Sequence, residues 1–246
     1  MKLLKLVTAS LVLFSASSWA TWSLGVGASY SPAVYKETPS NRVVIPIIGY
    51  EGEHFYYRGF TAGYRIWERR SPHNIVFKLA YDPRTLKPED SDNPFIQQLD
   101  KRKSTGLAGV TYQYMNRSIG QVEFTVAGDV LGRHDGLYGE AVYRLPFRGE
   151  RWMLTPAAGY SWNSSKLNNH LYGISQSEAD RLGVDSFSPN GDGQFFVGLR
   201  GLFKITQHII FTGGVRYTNL EGDLEDSPLL GDTDSTSVNI GLVYSF

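Results

Sequence analysis

Val238-Asn-Ile-Gly-Leu-Val-Tyr-Ser-Phe246, the last stretch of the sequence, decides the fold class. Side chains of a strand alternate with period two, so Val238, Ile240, Leu242, Tyr244 and Phe246 share one face. Asn239, Gly241 and Ser245 take the other face, and Val243 alone breaks the pattern. One face is oily and the other small or polar, and the run ends on an aromatic. That is the pattern of the strand that closes an outer-membrane β-barrel, where the final aromatic sits in the interfacial girdle.

The same alternation recurs upstream. Trp22, Leu24, Val26, Ala28 and Tyr30 oppose Ser23, Gly25, Gly27 and Ser29. Ile75, Phe77, Leu79 and Tyr81 form a second row, Val122, Phe124, Val126 and Val130 a third, and Trp152 to Trp162 a fourth. Two more follow over 195–205 and 209–217, and further strands are expected near 42–51, 54–67, 104–114 and 137–146. The polar faces carry Lys78, Glu123, Asp129, Glu140, Arg144, Arg200 and Arg216. A basic side chain facing lipid near the midplane costs about 2–4 kcal/mol, so these charges are expected inside the lumen, paired with one another.

The expected fold is therefore all-β: a closed antiparallel transmembrane β-barrel with long surface loops and short periplasmic turns. Long polar connections fall near 83–102, 163–193 and 219–235, and short ones near 115–119, 147–150 and 206–208. Eleven segments read as strands, whereas a single-chain barrel of this type takes an even number. The discrepancy lies in 42–68, where Gly59 and Gly63 can interrupt one apparent strand. Twelve strands is the expectation and ten the rival.

The N-terminal segment agrees with export. Met1-Lys-Leu-Leu-Lys5 is basic, Leu6 to Phe14 apolar, and Ser18-Trp-Ala20 a small-x-small cleavage site. Residues 1–20 read as a cleaved signal peptide, leaving 21–246 as one barrel domain. The apolar run is too short for a membrane anchor, which needs about 20 residues. No later segment reaches that length and mean hydropathy is −0.24. This excludes a helical membrane protein but not a barrel, whose strands are only half apolar. The chain has no Cys, hence no disulfide framework. Its 24 basic and 24 acidic residues balance, which gives no sign of a nucleic-acid partner. Tyr (15) and Phe (13) are abundant, as interfacial girdles require.

Candidate chemistry is sparse. Ser175 and Glu178 have capping-box spacing and Gly183 is a stop signal, so a short surface helix is expected there. A hydrolase would need Ser175 within reach of a base such as His170 and an acid, but capping already accounts for Ser175 and Glu178. His54, His73, His134, His170 and His208 are scattered without metal-site spacing, and His134-Asp135-Gly136 reads as a turn. Glu221, Asp223, Glu225, Asp226, Asp232 and Asp234 form an acidic loop that is solvated or bridges divalent cations. Asp100-Lys-Arg-Lys103 reads as a basic recognition patch or as a surface cluster paired with neighbouring acids. No catalytic residue, cofactor or metal is assigned.

Several stretches together resemble the MltA-interacting protein (MipA)/OmpV family of Gram-negative outer-membrane proteins. They are Tyr50-Glu-Gly52 with Phe55, Leu99-Asp-Lys-Arg-Lys-Ser-Thr105, and Ala127-Gly-Asp129 with Leu131. Leu154-Thr-Pro156 before Gly159, Tyr172-Gly-Ile-Ser175 with Glu178, Arg181 and Gly183, and Asp226-Ser-Pro228 complete the order. The resemblance implies a non-enzymatic barrel in the cell outer membrane. The name-giving member is described as a scaffold joining a lytic transglycosylase to a murein synthase. Others are linked to adhesion, osmotic response or antibiotic susceptibility. Expected partners are those murein enzymes, outer-membrane lipid and lipopolysaccharide, and the barrel-assembly machinery, with no nucleic acid. The alternatives are a small pore or solute channel, a surface adhesin and a lipid-modifying hydrolase.

Overall fold

The computed structural model describes residues 20–246. The signal peptide expected over 1–20 lies, but for Ala20, outside them. The ring starts with β1 (Thr21–Ser31), β2 (Asn41–Glu51), β3 (Phe55–Arg58), β4 (Thr61–Arg65) and β5 (His73–Asp82). It continues through β6 (Thr105–Asn116), β7 (Gly120–Asp129), β8 (Leu137–Arg144) and the two-residue β9 (Phe147–Arg148). Next come β10 (Trp152–Asn163), β11 (Asp192–Lys204), β12 (Ile209–Leu220) and β13 (Asp234–Ser245). β8 and β9 both pair with β10 and are one stave interrupted at Leu145 and Pro146. Proline has no N–H for the ladder, so the interruption falls where the sequence demands it. Every pairing is antiparallel, and β13 returns to β1 with Leu24 opposite Tyr244 and Val26 opposite Leu242. The barrel is closed, with twelve staves.

The span 54–67 holds two strands rather than one. Gly59 makes the turn between them with φ +60, a conformation that glycine adopts without a Cβ clash. Gly63 does not interrupt. It sits inside β4 opposite Tyr56, and a Cβ there would overlap the Tyr56 ring. The hairpin is short, and its last pair with β2 is Arg58 with Gly49. Beyond that point Asn41–Ile47 pair only with β1, which leaves a step in the rim. Ile48 accepts the Gly59 N–H, so by alternation residues 42, 44 and 46 present their backbone groups to this free edge. Pro46 has no N–H to offer there, which blunts the edge against adding a foreign strand.

The outward rows are apolar and exposed around the ring: Leu79 is 55% exposed, Val126 63% and Ile240 52%. In water, a continuous surface of this kind would aggregate; in hydrocarbon it is the favourable face. Val110 lies at the middle of β6, flanked by Phe77 and Val126 on neighbouring strands. Val110→Arg is expected to destabilise the barrel by about 2–4 kcal/mol. Reversible guanidinium unfolding in liposomes measures this, and an unchanged midpoint would contradict a lipid-facing Val110.

Five short connections share one end with Thr21 and Ser245, and the long ones share the other. The long loops do not wave in solvent. Tyr35 after β1, Leu86, Ile96 and Leu99 after β5, Ile174 and Ala179 after β10, and Leu229 after β12 pack into one apolar cluster. A second forms from Leu167, Leu171 and Tyr172 of α1 (Ser165–Tyr172) with Leu220, Leu224 and Leu230. The β5–β6 loop is rooted across the ring from the β12–β13 loop. Loops so placed meet only by crossing the mouth, so together they roof the lumen. The acidic loop 221–233, expected to be solvated, contributes three buried leucines to this cap.

Candidate functional site

Two polar assemblies lie along the axis of the barrel, one within the wall and one in the cap. In the wall, Glu123 of β7 meets Arg144 of β8 at 2.8 Å and Lys78 of β5 at 3.8 Å. Gln121 donates to the same carboxylate at 2.8 Å, and Gln113 donates as well. The neighbouring pair Thr111 and Thr125 is buried and hydrogen-bonded at 2.8 Å. Glu51 draws in Arg65 at 2.6 Å and Arg58 at 2.8 Å, and these two guanidinium groups lie at 4.5 and 4.4 Å from the Tyr56 ring. These cross-strand pairs tie adjacent staves together from the inside.

Charge is unevenly distributed round the ring. Strands β2 to β8 carry the ion pairs, whereas the inward positions of β11, β12, β13 and β1 include Gly198, Gly214, Gly241, Gly27 and Gly25. Arg200 and Asn239 face inward on this arc yet are exposed, so water reaches it. Arg216 rests 3.6 Å from the centre of the Phe196 ring. Glu140 accepts the Tyr138 hydroxyl at 2.8 Å. Asp129 stands at the loop end of β7, where its carboxylate accepts the backbone N–H groups of Leu131, His134 and Asp135 and the Thr105 hydroxyl. Asp129 therefore organises the β7–β8 turn, in which Asp135 adopts a φ of 49.

In the cap, α2 (Gln176–Leu182) runs between the cap and stop read from the sequence. Ser175 and Glu178 form the reciprocal capping box, and Gly183 ends the helix at φ +67. Glu178 is 1% exposed and also binds Arg102 at 2.7 Å and the Asp100 N–H at 2.9 Å. Burial opposes its ionisation, but the Asp100 and Ser175 N–H groups, the Ser175 hydroxyl and Arg102 outweigh this and hold its pKa below the ordinary 4.5. A depressed carboxyl pKa stabilises the fold above its ordinary value and loses that contribution as pH falls through the folded value. Acid is therefore expected to loosen the cap progressively from about pH 4.5 downward. Pepsin nicking within 164–191 should rise steeply over that range; nicking that does not change with pH would contradict this role.

The hydrolase geometry is not assembled. The Ser175 hydroxyl donates to Glu178 at 2.7 Å, and His170 Nε2 faces the Lys103 carbonyl at 3.1 Å. The His134 and His170 rings lie 5.4 Å apart, tilted at 45°, and burial pushes both below the ordinary imidazole value. Asp223 of the acidic loop is engaged by Asn190 at 2.6 Å, and no group of three metal-ligating side chains occurs among the described residues. The basic patch pairs in part: Lys101 with Glu89, Arg102 with Glu178, and Asp100 with Arg181.

The chain is thus a roofed, twelve-stave barrel with an apolar exterior and an ion-paired interior. The profile of the family described as MltA-interacting protein MipA matches residues 24–246. The chain belongs to that family. Like its relatives, this MipA-family chain is an outer-membrane β-barrel. YiaT of Escherichia coli K12 is 32% identical over 95% of this chain and 94% of its own length. The MltA-interacting protein of Escherichia coli K12 is 28% identical, covering 92% and 90%. Outer membrane protein OmpV of Vibrio cholerae is 26% identical, covering 92% and 86%. Among solved structures, an outer membrane channel from Pseudomonas putida F1 aligns over 94% of this chain and 97% of its own, at 11% identity and a TM-score of 0.45.

Proposed function

We propose that this MipA-family barrel is a non-enzymatic interaction platform that gathers murein-synthesising and murein-degrading enzymes at the periplasmic end of the ring. The roof carries this reading: loops from opposite sides of the ring meet over the mouth, which favours contact over conduction as the work of the fold. A relative at 28% identity bears the name MltA-interacting protein. At the short-turn end, Arg69, Arg70, Arg117, Arg148, Arg151 and Lys204 are all exposed. Such a basic rim suits an anionic partner, whether an acidic enzyme surface or the carboxylates of murein peptides. Photo-crosslinkers at positions 117 and 151 are expected to capture a lytic transglycosylase or a murein synthase in intact envelopes. Recovery of neither enzyme from either position overturns the proposal.

One observation favours a second reading, a small pore. The glycine-lined arc with Arg200 and Asn239 is wet, and displacement of the cap would expose it to the outside. Planar-bilayer recordings decide between the two: steady conductance supports the pore, and a silent barrel removes it. The non-enzymatic assignment has its own check. A Ser175→Ala variant should leave the lipid profile of the membrane unchanged, and an altered profile would point to catalysis at the cap.

A further inference from the structure

A cleft of about 560 Å³ opens in the cap between the basic segment 100–103, the β7–β8 turn and α1. Its acids are already engaged: Asp100 pairs with Arg181 at 3.0 Å, and Glu178 is held by Arg102 and its own helix cap. Lys103, Arg133 and Lys166 line the same cleft, are exposed, and have no acidic partner among the described residues. The cleft thus holds three uncompensated cations in one concavity.

Two buried groups in its lining lack acceptors. The His134 side chain is 1% exposed, and its Nδ1 accepts the Gly136 N–H at 2.9 Å. That bond leaves the ring proton on Nε2, which has no partner. Arg102 uses both terminal nitrogens, on the Asp100 and Gly173 carbonyls and on Glu178, while its buried Nε–H has none. Buried donors are nearly always satisfied, so two orphans in the wall of one cationic cleft call for an acceptor. An oxyanion with several oxygens is the ligand class that suits three free cations with unpaired donors in the wall behind them.

We propose that this cleft binds a phosphate group, carried by a phosphorylated lipid headgroup of the outer leaflet or by a soluble phosphate ester. Lys103, Arg133 and Lys166 attract it and His134 donates from Nε2. His170, whose Nε2 holds the Lys103 carbonyl, keeps the Lys103 segment against α1.

The test uses the full barrel in bicelles with labelled histidine rings, followed by NMR. One arm adds inorganic phosphate; the others add lipopolysaccharide, intact or with its phosphates removed. Saturable shifts of the His134 resonances with phosphate are expected, and Lys103→Gln with Lys166→Gln should weaken binding by at least about tenfold. Those two exposed substitutions should leave far-UV circular dichroism and heat-modified gel migration unchanged. Shifts with intact but not dephosphorylated lipopolysaccharide assign the lipid headgroup, and shifts with inorganic phosphate alone assign a soluble ester. Absence of shifts in every arm, or equal affinity in the double variant, overturns the site. None of these readouts depends on the murein partners, so the two proposals stand or fall separately.

Discussion

Arg102→Ala should open the cap while leaving the barrel closed. The substitution strands the Glu178 carboxylate, which is 1% exposed, without its cation. It also frees the Asp100 and Gly173 carbonyls that the guanidinium now ties together across two loops. Removing one partner of a buried pair costs about 3–5 kcal/mol, because an uncompensated charge remains in place. That shifts the closed cap's equilibrium by at least about a hundredfold. Trypsin cleavage within 100–103 and hydrogen exchange across 164–191 should both accelerate, with heat-modified gel migration unchanged. Adding Glu178→Leu to the variant removes the stranded charge but also the acceptor of the Asp100 and Ser175 N–H groups, so it should restore only part of the protection. A single variant as protected as the parent would show that the pair does not hold the cap.

The second large effect is expected inside the wall. Glu123→Ala leaves Lys78 and Arg144 facing each other without the carboxylate they share, and deprives Gln113 and Gln121 of their acceptor. Lys78 and Arg144 keep 20% and 32% of their side chains accessible, so water screens part of the repulsion. The expected loss is about 2–3 kcal/mol, below that of a fully buried pair. Glu123→Gln keeps one acceptor oxygen for Gln113 and Gln121 but loses the charge and the acceptor facing Arg144 and Lys78, and should fall between the two. Guanidinium unfolding in micelles ranks the three proteins. If the alanine variant unfolds at the parental midpoint, the cluster does not brace the staves.

The wall was legible in the sequence because a strand's environment is written with period two along its own residues. Trp22 to Tyr30 and Val238 to Phe246 each declare an oily face without reference to anything distant. Which inward charges pair was not legible: Glu123 finds Arg144 and Lys78 through the register of three strands, which no local pattern encodes. The 54–67 stretch misreads as one strand because a two-residue turn interrupts the alternation only at Gly59. The cap was missed almost entirely. Its apolar residues are spread over four loops, and Tyr35 bonds to Leu171 across 136 positions. A signal was nonetheless present, since Leu167 and Leu171 stand at i, i+4 after Ser164, a helix start that marks α1. Ser175 and Glu178 were readable because a capping box is complete within four residues.

The seam between β1 and β13 bears on how the molecule is made. All other neighbours in the ring are close in the chain, whereas Leu24 and Tyr244 are some 220 positions apart. Zipping them is the step with the greatest entropic cost and the latest in any folding order. Until it happens, a nearly finished sheet carries two bare ladders, each a template for a stray strand. A Cβ on Gly25 would strike the Leu242 backbone, so a bulkier residue there would stall the protein as an unsealed sheet rather than weaken a completed one.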